Sequence, residues 1–361
     1  MAKSKICVIY GGRSGEHEVS VQSAASVIDA INSDKYEVIP IGITKNGKWA
    51  PGVSPRALIQ QGSLEVKENG AMENITGALM ASNRREVLPI LDTEVNVVFP
   101  VLHGPFGEDG TIQGLLELAD IAYVGGGVLA SALGMDKIVM KMIFQANGIP
   151  VGDFLFYTRK QWEQNPEKIT AEISKKIGLP CFIKPANLGS SVGISKAHNH
   201  AEIRRSMDFA ARYDRKIIVE AFIKGREIEC SVLGNDDPIA SVPGEIVPCA
   251  EFYDYEAKYI ANDSKLIIPA ALSPELTAEV QDLAVCAYKA IDCAGMARVD
   301  FFLCADGKVF VNEINTIPGF TKISMYPKLW EASGLPYTEL INRLIELALE
   351  RKNDKDRNQL R

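Results

Sequence analysis

The chain reads as an N-terminal α/β unit built on an open parallel sheet, followed by two α+β units. Three observations carry this reading. Strand-like runs alternate with helical periodicity over residues 1–125. Glycine-rich turns follow buried apolar runs at 11–15, 103–110 and 189–195. Near the end of the chain an Asp-Gly dipeptide separates two alternating apolar runs, a strong hairpin signal. The units divide as 1–125, 126–220 and 221–361.

In chain order, Ile6–Tyr10 predicts a short buried strand ending in Gly11-Gly12-Arg13-Ser14-Gly15. Ser20 is placed to cap a helix whose Val21, Ala24, Ala25, Ile28 and Ile31 keep a helical period. Strands are expected at Tyr36–Ile43 and Val95–Leu102, while residues 45–92 carry weak periodicity. The second unit should hold a helix from about Asp136 and a strand at Leu179–Ala186. The third is richer in antiparallel signals, with strands expected at Ile217–Ile223, Glu227–Leu233, Met296–Cys304 and Lys308–Asn315. Helices are expected from Pro274 to Ile291 and from Pro336 to about Arg351.

Composition narrows the function classes. With 361 residues and 47% hydrophobic content, the chain is long enough for two or three cores. A formal net charge of −7 argues against general affinity for nucleic acid or an anionic membrane surface. No apolar run reaches transmembrane length, and the N-terminus lacks a signal-peptide pattern, so a cytoplasmic enzyme is expected. The seven cysteines are scattered without a CxxC pair, which predicts reduced structural thiols.

The hairpin is the first feature with chemistry. A two-residue loop at Asp306-Gly307 would set Asp300 opposite Glu313 and Arg298 opposite Asn315, all on one face. Directly opposed Cβ atoms lie about 4.5–5.5 Å apart, and like charges there are destabilising. Two carboxylates and an amide with no His or Cys suit a hard cation such as Mg²⁺. The same pattern fits the solvated outer face of an edge hairpin, and these residues alone leave both open.

Lys184 precedes Gly189-Ser-Ser-Val-Gly-Ile-Ser195. Glycines let backbone approach phosphate oxygens, hydroxyls and N–H groups donate to them, and the lysine adds charge. The lysine comes before the glycines, so this is not a Walker A motif. As bare residues, Glu220 and Glu227 fit ribose or adenine contacts, or ordinary strand-end charges.

Together these segments resemble the D-alanine–D-alanine ligases of the ATP-grasp superfamily. The motifs are Gly11-Gly-Arg-Ser-Gly-Glu-His-Glu-Val-Ser20, His103-Gly-Pro-Phe-Gly-Glu-Asp-Gly-Thr-Ile-Gln-Gly114, Met135-Asp-Lys137 and Lys184-Pro with Gly189-Ser-Ser-Val-Gly193. Tyr253-Asp-Tyr-Glu-Ala-Lys-Tyr259, Ala297-Arg-Val-Asp300 and Asn312-Glu-Ile-Asn-Thr-Ile-Pro-Gly-Phe-Thr321 complete the set, in order along nearly the whole chain. Residues 45–92 carry no motif.

The resemblance implies an N-terminal α/β domain followed by a two-domain ATP-grasp fold. It implies that Lys137 and Lys184 contact ATP phosphates beneath the 189–195 loop, with Ser190, Ser191 and Lys258 also on the ATP side. Glu220 and Glu227, with the backbone between them, would hold adenosine. Asp300, Glu313 and Asn315 would bind two Mg²⁺ ions, for which Mn²⁺ can substitute. Glu16 and His103 would sit by the first D-alanine, and Arg298, the Gly319 backbone and Ser324 would receive the second. Ser190 and Tyr259 would join Glu16 in a hydrogen-bonded triad. A homodimer is implied, with no nucleic-acid or membrane partner.

The implied product is D-alanyl-D-alanine, formed through an acyl phosphate for peptidoglycan precursor synthesis. Related ligases use D-lactate or D-serine as acceptor. No histidine occurs between Gly244 and Ala270, which favours an amine acceptor. The rival from another class is a non-catalytic nucleotide-binding module of the same fold. His198 and His200 read as surface residues, and Trp49, Trp162 and Trp330 as packing residues. His17 either orients Glu16 or lies in a solvated turn.

Overall fold

Five successive residues, Ile6 to Tyr10, are completely buried. A strand covered on both faces needs such an unbroken apolar run. In the computed structural model, which describes residues 3–61, 94–189, 192–247 and 265–359, this run lies in β1 (Ser4–Gly11), the middle of a sheet. Its neighbours are β2 (Tyr36–Ile43), β3 (Trp49–Pro51), β4 (Val97–Val101) and β5 (Ala122–Tyr123), in the order β3-β2-β1-β4-β5. All pairs are parallel except β2 with β3, so the expected parallel sheet carries one antiparallel edge strand.

The first helix starts at His17, three residues before the expected cap, and runs to Ala30. Ser20 is buried inside it and caps nothing. Its Oγ accepts from the Gly11 N–H at 2.7 Å and donates to the Val101 carbonyl, tying the helix to two strand ends.

The next sheet is antiparallel, with β6 (Phe154–Thr158), β7 (Cys181–Pro185), β8 (Ser195–Ala197) and β9 (Lys216–Ala221) in the order β6-β9-β7-β8. The third sheet holds β10 (Gly225–Gly234), β11 (Ile239–Ala240), β12 (Gly244–Val247), β13 (Lys265–Ile267), β14 (Gly295–Cys304) and β15 (Val309–Asn315). Its order is β13-β12-β10-β14-β15, with β11 beside β10, and its pairs are antiparallel.

The helix expected from about Asp136 is Lys137–Ala146, and the structure adds its cap: the Asp136 carboxylate accepts from the Ile138 and Val139 N–H groups at 3.2 Å. Ser273 caps helix Pro274–Ala290 in the same way. The final helix, Tyr337–Lys355, buries Leu340, Ile341, Leu344, Ile345 and Leu347. These residues join the core of the first sheet, with Ile6, Val8, Val97 and Phe99. Each fully buried aliphatic side chain is worth about 1.5–3 kcal/mol, so this stripe anchors the chain's end onto its beginning.

Among the described residues no helix is long and apolar enough to cross a membrane. Six described cysteines are free, and four of them are buried.

Candidate active site

The hairpin of β14 and β15 differs from its predicted form and still delivers the predicted pairing. The loop has three residues, Ala305, Asp306 and Gly307, because the Cys304 N–H donates to the Lys308 carbonyl at 2.9 Å. Gly307 supplies the positive φ of 86° that closes such a loop. Leu303 therefore pairs with Val309, where a two-residue loop demands Phe310. A β-bulge at the Asp300/Phe301 step absorbs the extra residue, and Asp300 faces Glu313 while Arg298 faces Asn315.

This face gathers further side chains from β10, where Glu229 pairs with Asp300 and Glu227 with Phe302. Arg298 holds Asp300 in a two-pronged contact at 2.7 and 2.8 Å and reaches Glu229 at 3.0 Å. The Asn315 amide also donates to Asp300 at 3.0 Å. Burial works against the guanidinium charge, but Asp300 and Glu229 outweigh it and hold Arg298 firmly protonated. Glu313 lies 3.5 Å from the Lys137 ammonium, which also donates to the Leu188 carbonyl at 2.8 Å. The two opposed carboxylates are thus each compensated by a cation of the chain itself.

A second charged cluster lies beside it. Lys141 and Lys184 clasp opposite oxygens of Glu220 at 2.8 and 2.7 Å. Burial alone would raise the Glu220 carboxyl, but the two ammonium groups hold it well below the ordinary range. Glu227 adds to the charge acting on Lys184. Both oxygens of Glu220 are committed to lysines, so its carboxylate holds Lys141 and Lys184 in place beside Glu227.

A narrow cleft of about 70 Å³ joins the pieces, lined by Glu16, His103, Glu108, Lys137, Gly189, Arg298, Glu313, Asn315 and Gly319. A larger groove of about 660 Å³ shares none of these residues. Glu16 is buried at the start of the first helix. A Cβ on Gly104 would lie 2.9 Å from its carboxylate and one on Gly189 3.3 Å, and the φ of 75° at Gly104 favours glycine where that loop passes over it. Ser324 stands beside Gly319, where a Cβ would come within 3.0 Å of its hydroxyl. The Ser324 hydroxyl accepts from the Thr321 N–H at 3.0 Å.

Ser190, Ser191, Lys258 and Tyr259 lie outside the described residues. His17 is not in a solvated turn: it is buried, and its Nδ1 donates to the Gly12 carbonyl at 2.9 Å, fastening the glycine turn to the helix. His198 and His200 are exposed as expected.

Four residues went unread in the sequence: Ser23, Glu108, Lys141 and Glu229. Lys141 carried a usable signal, since it follows Lys137 by one helical turn on a capped helix. Glu229 follows Glu227 by two and so shares its face. Burial pushes the Glu108 carboxyl up to about 8, with the nearby Glu16 charge adding to the shift.

Comparison with known proteins settles the family. Residues 5–126 match the D-ala D-ala ligase N-terminus and residues 143–346 the D-ala D-ala ligase C-terminus. The chain belongs to the D-alanine–D-alanine ligase family. It is 50% identical to the D-alanine–D-alanine ligase of Natranaerobius thermophilus over 99% of this chain and 98% of that one. Its identity to that of Acetivibrio thermocellus is 52%, over 98% and 97%. The D-alanine-D-alanine ligase structure from Coxiella burnetii superposes with a TM-score of 0.81 at 38% identity, covering 98% and 97%. The VanG D-Ala:D-Ser ligase from Enterococcus faecalis does so with 0.81 at 37%, covering 96% and 100%. The mixed α/β architecture, with its parallel first sheet and two antiparallel sheets, is that of these ligases.

Proposed function

We propose that this chain joins two D-alanine molecules into D-alanyl-D-alanine at the expense of ATP, supplying a peptidoglycan precursor. The observation that carries the reading is one cleft lined by Arg298, Glu313 and Asn315 on the hairpin, Lys137 on a helix, Glu16 at the start of the first helix and Gly319. Those groups suit a phosphoryl donor, a carboxylate and an amine held together.

Asp300, Glu313 and Asn315 fit Mg²⁺, because they offer hard oxygen donors without His or Cys, and Mg²⁺ is commonly held by one or two carboxylates plus substrate phosphates. We assign two ions to this set, with Mn²⁺ as a substitute. When bound, the metal offsets charge on the transferring phosphoryl group.

The residues of the chain divide the remaining work. Lys137 and Lys184 attract the phosphates, and Lys141 with Glu220 keeps Lys184 extended in place. Glu227 and the backbone between β9 and β10 hold adenosine. Glu16 binds the ammonium group of the first D-alanine and leaves its carboxylate free to attack the γ-phosphorus, so that ADP departs and an acyl phosphate forms. The amine of the second D-alanine, deprotonated, attacks the acyl carbon, and phosphate leaves with the bonding pair of the C–O bond. Arg298, immobilised by Asp300 and Glu229, stabilises the oxyanion without reorganising. Ser190 and Tyr259 complete the enclosure with Glu16 and exclude water from the acyl phosphate. A cytoplasmic location and a homodimer belong to this reading, the former because ATP is a cytoplasmic substrate.

Hydroxylamine tests the intermediate. With ATP, Mg²⁺ and D-alanine the enzyme should yield D-alanine hydroxamate, and the yield should fall as D-alanine rises to saturate the acceptor site. Hydroxamate formation independent of ATP would contradict the acyl-phosphate route.

A further inference from the structure

Gly319 sits in a segment whose backbone is gripped by side chains more than two hundred residues earlier. The His103 Nδ1 bonds the Ile317 carbonyl at 3.0 Å across 214 residues, and the Ile317 N–H donates to Glu108 Oε1 at 3.3 Å across 209. Both polar groups of one peptide residue are therefore held by the 103–108 loop. On the far side of Gly319, the Phe320 N–H donates to Ser23 Oγ at 3.3 Å, and Ser23 Oγ meets His103 Nε2 at 3.2 Å.

The protons of this chain of contacts can be assigned. A carbonyl only accepts, so His103 Nδ1 carries a hydrogen. Burial lowers the proton affinity of the ring, so at neutral pH Nε2 is bare and accepts from the Ser23 hydroxyl. The Ser23 oxygen in turn accepts from Phe320. Each donor has one acceptor, and both ring nitrogens of His103 are committed to protein.

The 103–108 loop is itself braced. The Gly104 N–H donates to Glu108 Oε2 at 2.6 Å, and the Gly107 and Glu108 N–H groups donate to the Gly104 carbonyl at 3.1 and 2.9 Å. A Cβ on Gly107 would lie 2.3 Å from the Leu102 carbonyl oxygen, so the loop admits no other residue there.

We propose that Ser23, His103 and Glu108 are positioning residues for the second amino acid, acting through the Ile317 and Phe320 backbone to place Gly319. The proposal rests on the reading of Gly319 as part of the acceptor site. It also changes the role of His103, from a group beside the first D-alanine to one that orders the acceptor segment.

Steady-state kinetics of full-length Ser23→Ala, Glu108→Ala, His103→Ala and His103→Asn test it, with donor and acceptor saturation resolved and phosphate counted against dipeptide. Ser23→Ala and Glu108→Ala should raise the acceptor KM about tenfold, as loss of one or two hydrogen bonds allows. Donor and ATP KM should stay within about twofold. Phosphate release should exceed dipeptide formation, because the acyl phosphate then waits unprotected. His103→Asn keeps a donor where Nδ1 stands and should fall between wild type and His103→Ala. Equal rises in donor and acceptor KM, or a lower Tm with unchanged KM, would overturn the proposal. Gly319→Ala separates the two levels. If it leaves the acceptor KM unchanged, the acceptor reading of Gly319 fails and the proposal with it. If it raises that KM while the other variants do not, the positioning role alone fails.

Discussion

Asp300 stands directly opposite Glu313 although the loop joining their strands is one residue longer than that pairing requires. The bulge beside Asp300 restores the register, and the consequence is large. In the register set at the loop, Asp300 would meet Asn312, and a one-residue slip would turn Glu313 and Asn315 to the other side of the sheet. The extra loop residue and the bulge cancel, so the cleft receives Arg298, Glu313 and Asn315 together.

Substituting Asp300 should therefore remove two things at once. Asp300→Asn takes away the charge of the proposed Mg²⁺ ligand and the two-pronged partner of Arg298. The expected loss in kcat is on the order of 10²-fold, with a higher Mg²⁺ concentration at half-maximal rate. A magnesium titration of the variant checks this, and an unchanged half-maximal concentration would remove Asp300 from the metal set.

Glu220 links two lysines to the sheet of β9, and its carboxyl is held below the ordinary range. A depressed folded-state pKa means that its stabilisation is fully present above about pH 4.3 and fades as pH falls. Glu220→Gln should cost about 3 kcal/mol at pH 7, since it leaves two buried ammonium groups without a counter-charge. Urea unfolding should show that deficit shrinking toward pH 3.

Glu108 has the opposite sign. Its folded-state pKa is raised to about 8, so its contribution is whole below about pH 4.3 and is lost as pH rises toward 8. Relative to Glu108→Gln, the wild-type protein should lose at least about 1 kcal/mol of unfolding free energy between pH 5 and pH 9. Parallel denaturation curves at the two pH values would refute the shift.

Acceptor choice is assigned to Tyr259 by family resemblance. Tyr259→Phe should raise depsipeptide relative to dipeptide when D-alanine and D-lactate compete. A constant product ratio would show that another group discriminates the amine from the hydroxyl.

Much of the fold was legible because its signals are local. β2 was read to the residue, and the helix expected from about Asp136 begins at Lys137. The Asp-Gly dipeptide announced the hairpin. Ser20 misled because a cap and a buried interior serine look alike without knowing that Gly11 and Val101 lie above it. The bulge was invisible, since nothing in Val311-Asn312-Glu313 says which residue leaves the ladder. The site followed the same division. Arg298, Asp300, Glu313 and Asn315 share a hairpin and could be assembled by counting. The contacts of Ser23, His103 and Glu108 with Ile317 and Phe320 span more than two hundred residues and depend on how the last sheet meets the first.

The central claim is that this cleft couples ATP cleavage to joining two D-amino acids. The direct measurement is product stoichiometry with Mg²⁺, ATP and D-alanine, with L-alanine as the control. One D-alanyl-D-alanine should form for each ADP and each phosphate released, and L-alanine should yield no dipeptide. Equal turnover with L-alanine, or ATP consumption without dipeptide, would contradict the account.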